Sequence, residues 1–282
     1  MRIGVHVSIA GKIYESVDRA AALGCDTMQI FSRNPRSWKA SAISEEDAGE
    51  FKRRAEEKNI RPVVVHIPYL INLATPDSAL YRKSIRAFRD DLKRADHLGA
   101  DYFVTHLGSH VKSGEEAGLR RLTDALNEII KTARPRVMIL LEVTAGSGSW
   151  LGYRFGHIRR IMDGLRVSEN IGVCIDTAHL FSAGYDIKTK QGLQKTLGDL
   201  DRLIGLEKAR VVHFNDSKAA MRSMVDRHEH IGKGLIGLAA LSRVINHPRL
   251  KNAAFIMETP KESDRDDRRN LKIARGLVKR RI

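Results

Sequence analysis

The sequence predicts an α/β protein with a single (β/α)8 TIM barrel, and three observations favour this fold. Six apolar runs end in side chains that can bind metal, and these ends are 40, 36, 34, 37 and 45 residues apart. Each interval accommodates one strand, one covering helix and two loops. The runs are continuously apolar, as in strands buried on both faces. The six terminal residues are His66, His106, Glu142, Asp176, His213 and Glu258.

Two further apolar runs near the amino terminus bring the predicted strands to eight. In chain order the strands are 3–7, 27–31, 62–66, 102–106, 137–142, 171–176, 210–213 and 253–258. A helical pattern follows each strand; examples are 11–23, 45–57, 79–97, 115–133 and 193–206. Gly24, Gly99 and Gly164 stand where helices are predicted to end. The charged tail from Lys261 onward predicts a solvated final helix with frayed ends.

The alternative fold is a doubly wound open sheet. An open sheet would spread the six polar residues along a line, whereas a closed barrel gathers all strand ends at one mouth. The sequence shows no internal duplication, linker or low-complexity tract, so we expect residues 1–282 to form one barrel domain.

The bulk composition indicates a globular protein with an anionic partner. The 282 residues carry a formal net charge of +15, which suits a polyanion, although basic surfaces also serve solubility. No apolar run approaches the roughly 18 residues of a membrane span. The first residues read as a strand without a signal peptide's apolar region. The two cysteines form no paired motif, so we expect a cytoplasmic protein, and we expect it to be a monomer.

Two short motifs add three candidate metal ligands: His179 follows Asp176 by three residues, and Asp226 and His228 lie two apart. A single histidine at a strand end is more often a hydrogen-bonded core residue than a ligand. Here the same structural position repeats, and no lysine or arginine at the strand ends offsets the carboxylates, so cations are the favoured partners. Nine ligands are too many for one ion and suit two or three.

The other histidines carry weaker expectations. His6 could support the ligands from the first strand. His97, His157 and His247 fall in helices or loops, and we expect them at the surface. Cys174, inside an apolar run, is expected to be a small buried residue.

Seven strings spread along the chain resemble those of the endonuclease IV family, which comprises apurinic/apyrimidinic DNA endonucleases. The resemblance runs from the first strand to the last, and the combination of strings is highly specific. The strings are Asn72-Leu-Ala, His106-Leu-Gly-Ser-His, Glu142-Val-Thr-Ala-Gly-Ser-Gly, Cys174-Ile-Asp-Thr-Ala-His, His213-Phe-Asn-Asp-Ser, Asp226-Arg-His-Glu-His-Ile-Gly and Glu258-Thr-Pro.

The resemblance implies three zinc ions per chain. His66, His106 and Glu142 would hold the first ion. Glu142 would bridge to a second, completed by Asp176, His213 and Glu258. His179, Asp226 and His228 would hold the third. The family cuts the phosphodiester 5′ to an abasic site, leaving a 3′-hydroxyl, and trims blocked 3′ ends in base excision repair. Because bound metal lowers the pKa of water toward about 7, we expect a hydroxide at the Glu142 bridge to attack the phosphorus.

The resemblance also implies double-stranded DNA as the partner. Arg36, Tyr69 and Leu70 match residues that enter the minor groove and fill the space left by extruded nucleotides. Apolar wedges and arginines are suited to that role, and an abasic nucleotide is easily flipped because it has lost its base. The alternative is a pair of ordinary loops with Trp38 packed on a helix. Residues 144–149 could offer backbone N–H groups to phosphate or simply form a turn.

The sequence departs from the family pattern at His230 and Lys233, where we expect Asn and Glu in many relatives. These changes affect the surroundings of the third ion, not the ligands.

Two other functions compete with the nuclease. A xylose-isomerase-like sugar isomerase or epimerase would need only Glu142, Asp176, His213 and Glu258. It would not need a further ligand group, groove-type loops or a strongly basic surface. A non-catalytic DNA-binding barrel would be expected to have lost ligands, and none of the nine is missing.

Overall fold

The computed structural model describes residues 1–279, and its main feature is a closed barrel of eight parallel strands. The barrel strands are β1 (Arg2–His6), β2 (Thr27–Phe31), β3 (Val63–His66), β4 (Tyr102–Thr105), β5 (Met138–Glu142), β6 (Ile171–Asp176), β7 (Ala209–His213) and β10 (Ala254–Met257). Their order around the barrel is β1-β10-β7-β6-β5-β4-β3-β2. The predicted TIM barrel is therefore confirmed.

A layer of α-helices surrounds the barrel, with two short 3-10 helices at Leu206–Lys208 and Pro248–Leu250. Every barrel strand is followed by a helix, as predicted, but β6 is followed by two. Within residues 1–279 the helices are α1 (Glu15–Leu23), α2 (Glu45–Glu57), α3 (Ser78–His97), α4 (Glu115–Ala133), α5 (Phe155–Gly164), α6 (Thr177–Ala183), α7 (Lys190–Leu203), α8 (Leu238–Ile245) and α9 (Asp264–Leu277).

The charged tail forms the predicted final helix. Ser263 and Asp266 start α9 with a reciprocal capping box, which satisfies backbone donors at the first turn. The expected frayed end at 280–282 lies outside the described residues. In the part of the chain that the structure describes, no helix has the length and apolar character needed to cross a membrane.

The barrel interior is filled by a layer of six fully buried side chains from β3, β4, β5, β6, β7 and β10. Each stands two positions before one of the six predicted strand-end residues. Because side chains on a strand alternate between faces with a period of two, the polar residue must point to the same barrel axis, one layer higher. The layer consists of Val64, Val104, Leu140, Cys174, Val211 and Ile256.

A two-stranded antiparallel hairpin rises from the mouth after β7, and the sequence did not predict it. Its strands are β8 (Asp216–Ser217) and β9 (His228–Glu229). The connecting segment is fixed to α6 because the backbone N–H of Arg222 donates to Phe181 O at 3.3 Å, and that of Met224 donates to Ser182 O at 3.0 Å. This docking carries the second metal-binding motif over the barrel mouth.

Candidate metal centre

The nine candidate ligands lie together at the barrel mouth. Their side chains come from strands β3, β5, β6 and β7, from the residues just after β4 and β10, from α6 and from the hairpin. Potential ligand atoms lie within 4.8 Å of one another in four groups; one of them joins Cys174 to Glu142 and His213, and the other three, which overlap, contain eight of the nine candidates, with Asp226 beside the third. The three overlapping groups are His66–His106–Glu142, Glu142–Asp176–His213–Glu258 and Asp176–His179–His228.

Glu142 is the central residue and is fully buried. Its Oε2 lies 3.1 Å from His66 Nε2 and 3.2 Å from His106 Nε2. Its Oε1 lies 2.9 Å from His213 Nδ1 and 3.5 Å from His179 Nδ1. Each carboxylate oxygen therefore faces a different set of imidazoles, as a ligand shared between two ions would.

The second group surrounds His213, which is also fully buried. His213 Nδ1 lies 3.2 Å from Glu258 Oε2 and 3.9 Å from Asp176 Oδ2. The other ring nitrogen, Nε2, lies 2.8 Å from Gln29 Oε1. Gln29 thus fixes the ring so that Nδ1 is the nitrogen available to an ion.

The third group joins α6 to the hairpin. His179 Nε2 lies 3.2 Å from Asp226 Oδ2, and His228 Nε2 lies 3.4 Å from Asp226 Oδ1. His228 Nε2 is also 3.5 Å from Asp176 Oδ2. Asp176 therefore borders both the second and third groups, although the resemblance implied only the second.

The ring orientations fit metal binding. His66 Nδ1 lies 2.8 Å from Ile67 O, His179 Nδ1 lies 2.9 Å from Val143 O, and His228 Nδ1 lies 3.1 Å from Glu258 O. A carbonyl can only accept, so Nδ1 of each ring carries a proton, and Nε2 is the nitrogen that has a lone pair when the ring is neutral. The buried Nε2 atoms of His179 and His228 lack a hydrogen-bond partner although carboxylates are near. A cation between the lone pairs and the carboxylates would resolve this arrangement.

The electrostatics agree with the geometry. Burial opposes the charged form of Glu142, but His213 and His106 outweigh burial and hold its pKa well below the usual range. Burial likewise opposes the charge on His179, but Asp176 and Asp226 raise its pKa to about 10. Glu142 is thus kept ionised and attracts positive charge, which favours binding of cations at this site.

Two polar residues that sequence reasoning missed hold the ligands in place. Gln29 Nε2 donates to Glu258 Oε1 at 2.6 Å and lies 3.0 Å from His6 Nδ1. Asn215 Nδ2 donates to Asp176 Oδ2 at 2.7 Å, and Asn215 Oδ1 accepts from the backbone N–H of Glu258 at 2.8 Å. The signal for Gln29 was a single amide inside the apolar run 27–31.

The expected surface position of His157 is wrong. His157 is buried on α5, where its Nδ1 accepts from the backbone N–H of Gly152 at 3.2 Å and its Nε2 lies 3.5 Å from Glu115 Oε2. It supports the loop after β5. Cys174 is buried as expected, and both cysteines are free.

A cleft of about 610 Å³ opens beside the cluster, and a second of about 330 Å³ lies directly over it. Tyr69 is 59% exposed and lines both clefts. Its ring centroid is 5.4 Å from that of Phe31. Arg36 is exposed, and Leu70 is partly buried. Residues 144–148 of the glycine-rich segment 144–149 line the larger cleft, next to the third group.

Trp38 packs as expected in the alternative of ordinary loops. It packs against the core, with Lys83 Nζ of α3 4.2 Å from its ring centroid. We therefore do not assign it to the DNA-contacting surface.

The family relationship follows from similarity over nearly the entire chain. Residues 17–279 match the family model described as a xylose isomerase-like TIM barrel. The chain is 47% identical over 279 residues to a probable endonuclease 4 of Chloroflexus aurantiacus, with 98% of each protein covered. It is 44% identical over 266 residues to a probable endonuclease 4 of Halothermothrix orenii, with 94% of this chain and 96% of the relative covered.

The chain belongs to the endonuclease IV family. The resemblance inferred from the seven strings is thus confirmed, as is the prediction of an endonuclease.

Solved structures give the same result. The crystal structure of endonuclease IV from Thermus thermophilus matches with a TM-score of 0.88 and 36% identity, covering 98% of both chains. A D-tagatose 3-epimerase-like protein matches with a TM-score of 0.75 but only 20% identity. That second likeness shows only the common barrel and does not favour the sugar epimerase alternative over the endonuclease IV family.

Proposed function

We propose that this chain is a zinc-dependent repair endonuclease that cuts the phosphodiester 5′ to abasic sites in double-stranded DNA and leaves a 3′-hydroxyl. One observation carries the proposal: the three overlapping ligand groups meet at one mouth, beneath clefts lined by the exposed Tyr69. A phosphate in that position would meet the charged centre while a flanking nucleotide meets an aromatic side chain.

The donor set suits three zinc ions, the number that the resemblance implies. His66, His106 and Glu142 would hold one ion, and Glu142 would share a second with Asp176, His213 and Glu258. His179, Asp226 and His228 would hold the third. When bound, zinc supplies Lewis acidity and lowers the pKa of water from about 15.7 toward 7, so that hydroxide is available at neutral pH.

The protein's own residues would set the geometry and charge of the reaction. Glu142 is held by imidazoles on both oxygens and would fix the spacing of the centre. The four carboxylates do not neutralise three divalent ions, so the mouth would keep positive charge for a phosphodiester. Asp226 is half-exposed, with 51% of its side chain accessible, and would face the incoming strand.

The DNA-contacting residues would distinguish abasic from intact duplex. Tyr69 and Leu70 would occupy the space left by an extruded nucleotide, and Arg36 would follow into the minor groove. A nucleotide without a base loses little stacking when it is flipped, so the cost is smallest at the damaged position. The same centre would accept a blocked 3′ end, because trimming such an end breaks the same kind of bond. We further propose that residues 1–282 act as one domain, as a cytoplasmic monomer.

The test is cleavage of a duplex oligonucleotide with one abasic site. We expect a single cut on the 5′ side, a 3′-hydroxyl product, loss of activity after strong chelation and recovery on adding zinc. A matched duplex without the abasic site should stay intact. Cleavage that persists after removal of all bound metal, or equal cleavage of both duplexes, would contradict the proposal.

A further inference from the structure

The loop between β2 and α2 carries Arg36, and its fixed position depends on a different helix, α3. Residues 32–44 have no regular secondary structure, although Ser32 and Arg33 are buried. We propose that Asp91 of α3 is a positioning residue that presents Arg36 to DNA. This inference rests on the DNA-contacting role proposed above for Arg36.

Asp91 binds the beginning of the loop through the side chains of Ser32 and Arg33. It is fully buried, and Arg33 is 6% exposed. Arg33 Nε donates to Asp91 Oδ1 at 2.8 Å, and Arg33 Nη2 donates to Asp91 Oδ2 at 2.7 Å, so the ion pair is bidentate. Ser32 Oγ donates to Asp91 Oδ1 at 2.8 Å. A bidentate pair fixes direction as well as distance, so the loop leaves β2 at a defined angle.

The Arg33 guanidinium also contacts the backbone just after Arg36. Arg33 Nη1 donates to the backbone carbonyl of Ser37 at 2.7 Å, while the backbone N–H of Arg36 donates to Asn34 Oδ1 at 3.0 Å. Arg36 therefore stands in a tight turn, residues 33–37. The backbone N–H of Ser37 donates to Asn34 O at 3.1 Å across this turn, and the Arg33 side chain, held by Asp91, anchors the turn to α3. Loss of the Asp91 charge would release this anchor.

Two other residues of α3 hold the second half of the loop. Lys83 lies over the Trp38 ring at 4.2 Å from Nζ to the centroid, and Arg94 Nη1 donates to Ser41 O at 2.7 Å. Lys83, Asp91 and Arg94 of α3 thus contact the loop at several points between Ser32 and Ser41. Arg36 lies between these contacts and is exposed, as are Asn34 and Lys39.

A buried ion pair is a weak source of net stability, because desolvation offsets much of the attraction. The Arg33–Asp91 pair matters here because it fixes the orientation of the loop that carries Arg36. Neither Arg33 nor Asp91 belongs to any of the metal-ligand groups. We therefore expect its loss to change DNA affinity and to leave the metal centre intact.

A double-mutant cycle on the zinc-loaded protein tests the inference, with the dissociation constant for an abasic duplex as the readout. In the wild-type background, Arg36→Ala should raise the dissociation constant about tenfold, as for loss of a groove-reading arginine. In the Asp91→Asn background the same change should cost less than about twofold, because Arg36 would no longer be presented to DNA. Two sites that do not interact would instead have additive effects, and the tenfold cost would remain. Asp91→Asn alone should raise KM and leave kcat at saturating DNA and zinc content unchanged.

Asp267→Asn is the matched control. Asp267 is another buried carboxylate on an outer helix, and its Oδ2 lies 2.5 Å from Lys261 Nζ. In this background Arg36→Ala should keep its full effect. If Asp91→Asn does not fold, Arg33→Met combined with Asp91→Leu removes the pair without leaving a buried charge, and the same loss of the Arg36 effect is expected.

The outcomes separate the two proposals. An equal effect of Arg36→Ala in the wild-type and Asp91→Asn backgrounds would overturn the positioning role while leaving the endonuclease proposal intact. A parallel fall in kcat, zinc content and affinity in Asp91→Asn would also overturn it, because that pattern indicates a general structural defect. If Arg36→Ala has no effect in the wild type, the DNA contact and the positioning role both fail. Failure of the wild type to bind abasic DNA would refute the proposed function itself.

Discussion

Replacing Glu142 with Gln tests the shared-ligand geometry most sharply. The change keeps the size of the side chain but removes its charge and one of its two acceptor oxygens. Glu142 Oε2 faces His66 and His106, whereas Oε1 faces His213. A single substitution therefore alters a ligand of two proposed ions, and we expect zinc content to fall from about three to about one per chain.

The expected loss of rate follows from the loss of those ions. A metal ion contributes several kcal/mol of transition-state stabilisation, and each 1.36 kcal/mol is about tenfold in rate. Loss of one such contribution of about 4 kcal/mol already predicts a decrease of about 10³-fold in single-turnover cleavage. The assay pairs elemental analysis of gel-filtered protein with single-turnover cleavage of an abasic duplex.

Asp216→Asn is the control for loss of a buried carboxylate. Asp216 is fully buried at the same mouth, but it accepts from backbone N–H groups such as those of Gly232 and Ile236 at 3.0 Å each. Its replacement should lower stability and keep about three zinc ions. Wild-type cleavage by a folded, zinc-poor Glu142→Gln protein would refute the reasoning.

Three further changes give distinct expected results. Tyr69→Ala should weaken binding of abasic duplex by about tenfold, as for loss of a stacking platform, and should weaken binding of undamaged duplex less. Equal losses of affinity for the two duplexes would argue against a wedge role for Tyr69. His228→Ala should remove one zinc ion and retain two, measured by elemental analysis, because His228 is a candidate ligand in the third group only; loss of all metal would contradict separate groups. Gln29→Leu should lower the free energy of unfolding by about 1–3 kcal/mol in denaturant titration, because partners on His213 and Glu258 are left unsatisfied; an unchanged stability would show that these hydrogen bonds contribute little.

The barrel and the convergence at its mouth could be predicted because both follow from local patterns. Continuous apolar runs identify buried parallel strands. The two-residue alternation then dictates that a polar residue following a core residue, as Glu142 follows Leu140, points along the barrel axis. No long-range information was needed to place these six residues at one mouth once the barrel closes.

Other features depend on contacts between distant segments and left weaker signals. The hairpin has strands of two residues each, too short for a periodic pattern, and its position depends on backbone bonds from Arg222 and Met224 to α6. The border position of Asp176 between two groups follows from that docking. His157 is buried because Gly152 and Glu115 supply its polar partners, and nothing in the local sequence around 157 specifies them.

The central claim is that three ions occupy the three ligand groups. Anomalous diffraction at the zinc absorption edge, from crystals grown with zinc, measures this directly. We predict three peaks per chain, each about 2.0–2.2 Å from the nitrogen and oxygen atoms of one group, with Glu142 shared by two of them. A single peak, or peaks away from these side chains, would contradict the account.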